Sequence, residues 1–339
     1  MVFLTLVSCT SQPTEPLRIG AVLPVTGTYS VWGINEEKGI ALALEEVDNV
    51  MVVVEDTASN TGNSVSAVQK LINVDDVDVL YTSLTGVSNA IAPVAFENNK
   101  LHLYKAATTK PITEFLGNSI KTGYYNYLED CRVLSEFAVE KNYKKIAYVS
   151  ANADFSVECK ESMLIDNLDF EDYAFEASKE DFLTILTRIK EGTYDAIIVT
   201  GYNVDFGKFY RKMVELDIRI PVLCAGAEDC LDGLENVAPL GLVYFGAELD
   251  EEFKEKLLDR YPDMTLLEQA IAATSYDMVK FVSEAYSKCP EKNKECLRKS
   301  ITGSRIVSAQ GSEGFDGDVI KLKIKLFRLN DERNVEIID

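Results

Sequence analysis

The chain has 339 residues, 47% of them hydrophobic, which is enough to bury more than one core, so two lobes are expected. Asp and Glu number 55 against 34 Lys and Arg, and the formal net charge of -21 repels phosphate backbones, which argues against nucleic acid as a partner. With one histidine, His102, and no CxxC spacing, a zinc site is disfavoured, and no stretch reaches the ~18 apolar residues of a membrane span.

Residues 1–8 are mostly apolar and run into Leu6-Val7-Ser8-Cys9, followed by a Thr/Ser/Gln/Pro spacer to Pro16. This looks like the end of a lipoprotein signal peptide, with Cys9 as the lipidated residue and 1–16 as signal remnant and spacer, although no Lys or Arg precedes the apolar run. An ordinary N-terminal tail with a stray cysteine is the alternative. Setting Cys9 aside leaves six cysteines, an even number that suits an oxidising compartment. Proximity in sequence favours Cys224 with Cys230 and Cys289 with Cys296, leaving Cys131 for Cys159.

From residue 17 the chain alternates. Strands are predicted at 17–24, 51–55, 77–82 and 101–105, with helices at 33–48, 63–72 and 88–98 between them. Apolar strands separated by amphipathic helices imply a parallel sheet covered on both faces. A second series starts after 121–127: helices near 131–141, 157–166, 181–190 and 206–216, and strands at 145–150, 170–175, 196–200, 222–225 and 242–247. Helices at 251–261, 267–287 and 292–301 follow. The tail 319–338 alternates, with Leu322, Ile324 and Leu326 opposite Lys321, Lys323 and Lys325. The fold class is therefore α/β, two doubly wound parallel-sheet lobes.

Several motifs in this order resemble the type I periplasmic binding proteins of the branched-chain amino acid transport group. They are Ile19-Gly20-Ala21-Val22-Leu23-Pro24-Val25-Thr26-Gly27 with Trp32-Gly33, Glu55-Asp56, Thr85-Gly86-Val87 with Ala92-Pro93-Val94-Ala95, and Ala106-Ala107-Thr108. In the second series they are the segment 152–155, Gly201-Tyr202, Gly226-Ala227-Glu228, Ser275-Tyr276-Asp277 and Gly314-Phe315-Asp316-Gly317. The resemblance runs from residue 17 to the C-terminus. It implies three crossings between lobes, near 122–128, 247–250 and 312–318, with lobe one at 17–122 and 250–313 and lobe two at 123–249 and 314–339. It also implies hinge closure around a ligand, no catalytic activity, no cofactor, a membrane permease of the ABC type as partner, a monomeric state and a location outside the cytoplasm with a lipid anchor.

A zwitterionic amino acid needs two complementary clusters, because removing its carboxylate and ammonium from water is costly unless both are met. Thr85 and Gly86, between a strand and a helix, suit the carboxylate, as does Thr108. The resemblance adds a carbonyl near Ala106 for the ammonium and places Glu228 as its acid. Tyr202 could add a hydroxyl or ring face, and Phe155 and Trp32 would wall the side-chain pocket. Plain helix caps for the threonines, a solvated surface carboxylate for Glu228 and core packing for the aromatics are the competing readings. Tyr104-Lys105 stands where family members commonly carry Ser-Pro, and Lys110 follows. A cation at the pocket could favour a ligand with an extra acidic group.

No G-x-S-x-G, phosphate-binding loop or Ser/His/Asp set is present, and His102, in an apolar strand, reads as a satisfied core residue. A sensor ectodomain of the same fold, or a binder of an amide, urea or aromatic acid, remains as a rival function.

Overall fold

The computed structural model describes residues 15–106, 115, 117–123, 126–164, 168–178, 181–234, 241–330 and 334–338. Cys9, Thr108 and Lys110 lie outside the described residues. Two seven-stranded sheets organise the chain. In the first, β1 (Leu17–Leu23) lies between β2 (Val50–Asp56) and β3 (Val79–Thr82), and the order continues through β4 (Leu101–Tyr104) and β5 (Ser119–Lys121). In the second, β6 (Lys145–Ala151) lies between β7 (Asp169–Phe175) and β8 (Ala196–Thr200), followed by β9 (Val222–Cys224) and β10 (Val243–Ala247). All these neighbours pair in parallel.

The central strands are continuous apolar runs because they are covered on both faces, which removes the pressure to alternate, whereas the edge strands β2 and β7 stay partly exposed. β3 and β4 are buried along their whole length, as are β8, β9 and β10. On the first sheet, Leu17, Ile19, Tyr81 and Leu103 share a core with Ala272, Val279 and Val282 of the long helix Leu266–Lys288. On the second, Val149, Val199 and Cys224 pack on Phe206, Phe209 and Met213 of the helix Asn203–Glu215.

The expected boundary near the C-terminus is corrected. β11 (Ser312–Asp316) and β12 (Val319–Leu322) belong to the first sheet, where Val319 pairs with Lys121 of β5. Only β13 (Ile324–Leu329) and β14 (Val335–Ile338) join the second, antiparallel to β10 and to each other. The last crossing therefore falls at Lys323, not within 312–318. The tail alternates continuously through both hairpins, so its pattern did not reveal the change of sheet. The three-residue β5 also escaped the sequence reading.

Three disulfides join Cys131 to Cys159, Cys224 to Cys230 and Cys289 to Cys296, the pairing that proximity favoured. His102 is fully buried, with Nε2 2.7 Å from Thr82 Oγ1 and Nδ1 3.2 Å from Ser119 Oγ, and burial lowers its pKa to about 3. It is the satisfied core histidine that its apolar context suggested. Among the described residues no helix is long and apolar enough to cross a membrane, and no cluster of three or more metal-ligating side chains occurs.

Candidate functional site

The carboxyl ends of the parallel strands of both sheets face one cleft, the position where open α/β sheets place ligands. After β3, Ser83, Leu84 and Thr85 line it, with Thr85 opening the helix Thr85–Glu97. After β4 come Lys105 and Ala106, and after β8 come Gly201 and Tyr202. Phe155, in the first turn of the helix Asp154–Met163, and Tyr127, at the start of the short helix Tyr127–Asp130, add two rings. Trp32 enters from the first lobe and Asp229 from the second, and the enclosed space is about 40 Å³.

The lobes touch across this space. Tyr29 of the first lobe lies 5.2 Å from Tyr202 of the second, ring centre to ring centre, while Phe155 meets Tyr202 edge-on at 5.1 Å and Tyr127 at 5.4 Å. These separations are those of favourable aromatic pairs. Burial, then the neighbouring Tyr29, Asp205 and Asp154, push the Tyr202 hydroxyl up to about 12, so it remains protonated.

Below the rings is a buried ionic group. Lys105 Nζ lies 2.5 Å from Glu36 Oε1, with side-chain exposures of 1% and 0%, and 4.0 Å from the centre of the Trp32 ring. The same Glu36 oxygen accepts from Ser83 Oγ at 2.9 Å and from the Tyr81 hydroxyl at 3.3 Å. Burial pushes the Lys105 ammonium down, while Glu36 and then Asp229 pull it back toward the charged form. A lysine this deep persists because a carboxylate and a ring face replace its water.

Trp32, Thr85, Ala106, Phe155 and Tyr202, all predicted from sequence, converge on this cleft. Gly86 does not line it, and a methyl group there would face Thr61. Glu228, expected as the acid that meets the ligand ammonium, does not line it either. Its carboxylate lies beside Gly246 in a cavity walled by Tyr244, Leu266 and Phe327, and the next residue, Asp229, lines the cleft between the lobes.

Local backbone explains the exchange. The turn Ala227–Leu231 is a short 3₁₀ helix, in which successive side chains project about 120° apart. It is held by the Cys224–Cys230 disulfide and by a left-handed Ala227 at φ 50°. Gly226 precedes it with no room for a side chain, since a methyl group there would lie 2.5 Å from the Phe206 ring. The motif Gly226-Ala227-Glu228 carried the signal for an acid, but not the direction of the turn. Glu36, Ser83, Tyr127 and Asp229 were missed, and Lys105 was noted only as a departure. An acid one helical turn beyond Trp32 was the available sign for Glu36.

A family model described as periplasmic binding protein matches residues 16–322. No curated protein matches the sequence. Among solved structures, the leucine-binding protein LivK of Thermotoga maritima is 20% identical with a TM-score of 0.83, covering 95% of this chain and 98% of that chain. The branched-chain amino acid transporter substrate-binding protein LivJ of Streptococcus pneumoniae, in complex with isoleucine, is 20% identical with a TM-score of 0.82, covering 96% of this chain and 99% of that one. A solute-binding protein of an ABC transporter from Rhodopseudomonas palustris, in complex with 3,4-dihydroxybenzoic acid, is 21% identical with a TM-score of 0.84, covering 95% and 96%. At these identities the likeness is one of fold.

Proposed function

Because the chain belongs to the periplasmic binding protein family, we propose that it is the extracytoplasmic substrate-binding component of an ABC importer and closes around a small amino acid, which it delivers to a membrane permease. The carrying observation is the charge of the cleft. Lys105 is paired with Glu36 at 2.5 Å and also feels Asp229, which lines the same cleft, so acidic side chains outnumber the basic one there and bias the site toward negative charge. A ligand ammonium offsets that charge, whereas a ligand bearing only a carboxylate adds to it. The amino acid's own carboxylate would take Ser83, Thr85 and the positive end of the helix Thr85–Glu97.

Lys105 does not favour a second acidic group in this reading, because Glu36 already balances it. Tyr127, Phe155 and Tyr202 would enclose the side chain and supply ring faces to the ammonium. The amino acid complex of LivJ is consistent with this assignment.

A second reading, an aromatic acid, is favoured by the cluster of tilted and edge-on rings and by the aromatic acid complexes of Rhodopseudomonas palustris proteins. A thermal-shift panel of amino acids, amides and aromatic acids separates the two, since a ligand that binds only the folded form raises its melting temperature. Amine-bearing compounds are expected to shift it. A panel in which benzoates alone do so replaces the amino acid with an aromatic acid. Cys9 remains the candidate for lipidation, to be checked by the mass of the mature N-terminal peptide.

A further inference from the structure

Among the described residues that line the cleft, Lys105 is the only basic one, and its ammonium rests in a seat built by one helix. Trp32 and Glu36 are four residues apart on the helix Ser30–Leu44, so their side chains share a face, and both meet that ammonium, the ring centre at 4.0 Å and the carboxylate Oε1 at 2.5 Å. The seat is fixed by its surroundings. Ser83 Oγ and the Tyr81 hydroxyl donate to the Glu36 carboxylate, and Ser275 Oγ donates to Glu36 O at 2.8 Å. A methyl group at Gly39 would lie 2.0 Å from Ala272 O, which shows how tightly this helix is set against the long helix Leu266–Lys288.

Glu36 does not line the cleft, whereas Lys105 does, so the lysine stands between the cleft and the acid. A carboxylate beside an aromatic face is a good environment for an organic ammonium, and here a side chain of the protein itself fills it. A ligand with a cationic side chain would bring a second positive charge to Lys105 while the acid of this seat is already engaged, a costly arrangement in a setting this buried. A buried ion pair adds little net stability, because desolvation of both partners offsets their attraction. Its consequence for the cleft is selectivity.

We infer that Lys105 is a specificity-determining residue of the cleft, whose ammonium occupies the seat formed by Trp32 and Glu36 and thereby excludes ligands with a cationic side chain. This rests on the amino acid reading above. Calorimetric titration of the full chain with norleucine and lysine tests it, since the two share a four-carbon side chain and differ by the terminal ammonium. The native chain is expected to bind norleucine about tenfold or more tightly than lysine. Lys105→Ala opens the seat and is expected to raise lysine affinity about tenfold or more, whereas Lys105→Met keeps the space filled and is expected to gain nothing. Equal binding of lysine and norleucine by the native chain, no gain in Lys105→Ala, or an equal gain in Lys105→Met each overturns the proposal.

A second arm uses no amino acid. n-Propylammonium chloride replaces the part of the lysine side chain that Lys105→Ala removes, and it is expected to raise the melting temperature of that variant and not of the native chain, with n-propanol and potassium chloride as controls. No rise, or the same rise with n-propanol, overturns the seat. If no amino acid binds the native chain, the amino acid reading fails, and the propylammonium arm still decides whether Lys105 fills a cation seat. Should Lys105→Ala fail to fold under any of these conditions, the comparison of norleucine with lysine in the native chain decides.

Discussion

At the scale of single residues, two buried groups titrate in opposite senses near neutral pH. Burial lowers His102 to about 3, so the folded chain binds that proton less well than the unfolded one, and stability is lost as pH falls below about 6.5. Burial raises Asp277 to about 6, against which its hydrogen bonds from Ser308, Gln310 and the backbone pull only part of the way back. Its ionised form costs stability above pH 6, and that cost is relieved as pH falls from about 6 toward 3.8. Each acts at about 1.4 kcal/mol per pH unit within its window. Between pH 6.5 and 5 the two largely cancel. Urea denaturation of His102→Gln should therefore show stability rising as pH falls over this range, and a flat or falling curve would contradict the assignment to Asp277.

At the scale of elements, the turn Ala227–Leu231 sets which acid faces the cleft. The Cys224–Cys230 bond closes a loop with a sequence separation of only 6, so its effect on global stability should sit at the low end of the typical ~2–4 kcal/mol for a disulfide. Its effect on the cleft should be larger in proportion. Replacing both cysteines by serine is predicted to weaken ligand binding about tenfold or more with a small change in melting temperature, measured by calorimetry and scanning calorimetry. An unchanged affinity would mean that backbone packing alone aims Asp229. The turn also marks the limit of what the residues revealed. Strands with continuous apolar runs, such as β3 and β8, were legible because burial on both faces leaves a direct compositional trace. The rotation of a 3₁₀ turn by one residue leaves none. Lys105 was visible as a departure, but its neutralising partner Glu36 lies 69 positions earlier and meets it only through the fold. The change of sheet at Lys323 was hidden for a similar reason, because both hairpins carry the same alternation.

At the scale of the whole molecule, the three crossings between lobes meet at one loop. Ala309 O accepts from Asp250 N at 3.0 Å, Gln310 Nε2 donates to Thr122 O at 3.1 Å, and Gly311 O accepts from Lys323 N at 3.4 Å. The loop is pinned by Asp277, which accepts from Ser308 Oγ at 2.6 Å, Ala309 N at 2.7 Å, Gln310 N at 3.1 Å and Gln310 Nε2 at 2.9 Å. Gly311 has φ 68°, and a methyl group there would lie 2.1 Å from Glu248 O. Gly311→Ala is predicted to destabilise the chain by about 2 kcal/mol or more, since both the left-handed backbone and the clash are with parts that cannot yield. Urea unfolding checks this, and a change below ~0.5 kcal/mol would show that the crossing strands adjust independently.

The cleft joins these scales, because Asp229 of one lobe and the Ser83–Thr85 end of the other line the same space. Calorimetric titration of leucine and of its deaminated analogue, 4-methylpentanoate, into the unmodified chain, Asp229→Asn and Glu228→Gln tests that arrangement most directly. The account predicts that leucine binds, that 4-methylpentanoate does not, that Asp229→Asn costs about 2 kcal/mol or more of leucine affinity, and that Glu228→Gln costs little. Equal binding of the two compounds, or a loss confined to Glu228→Gln, would contradict it.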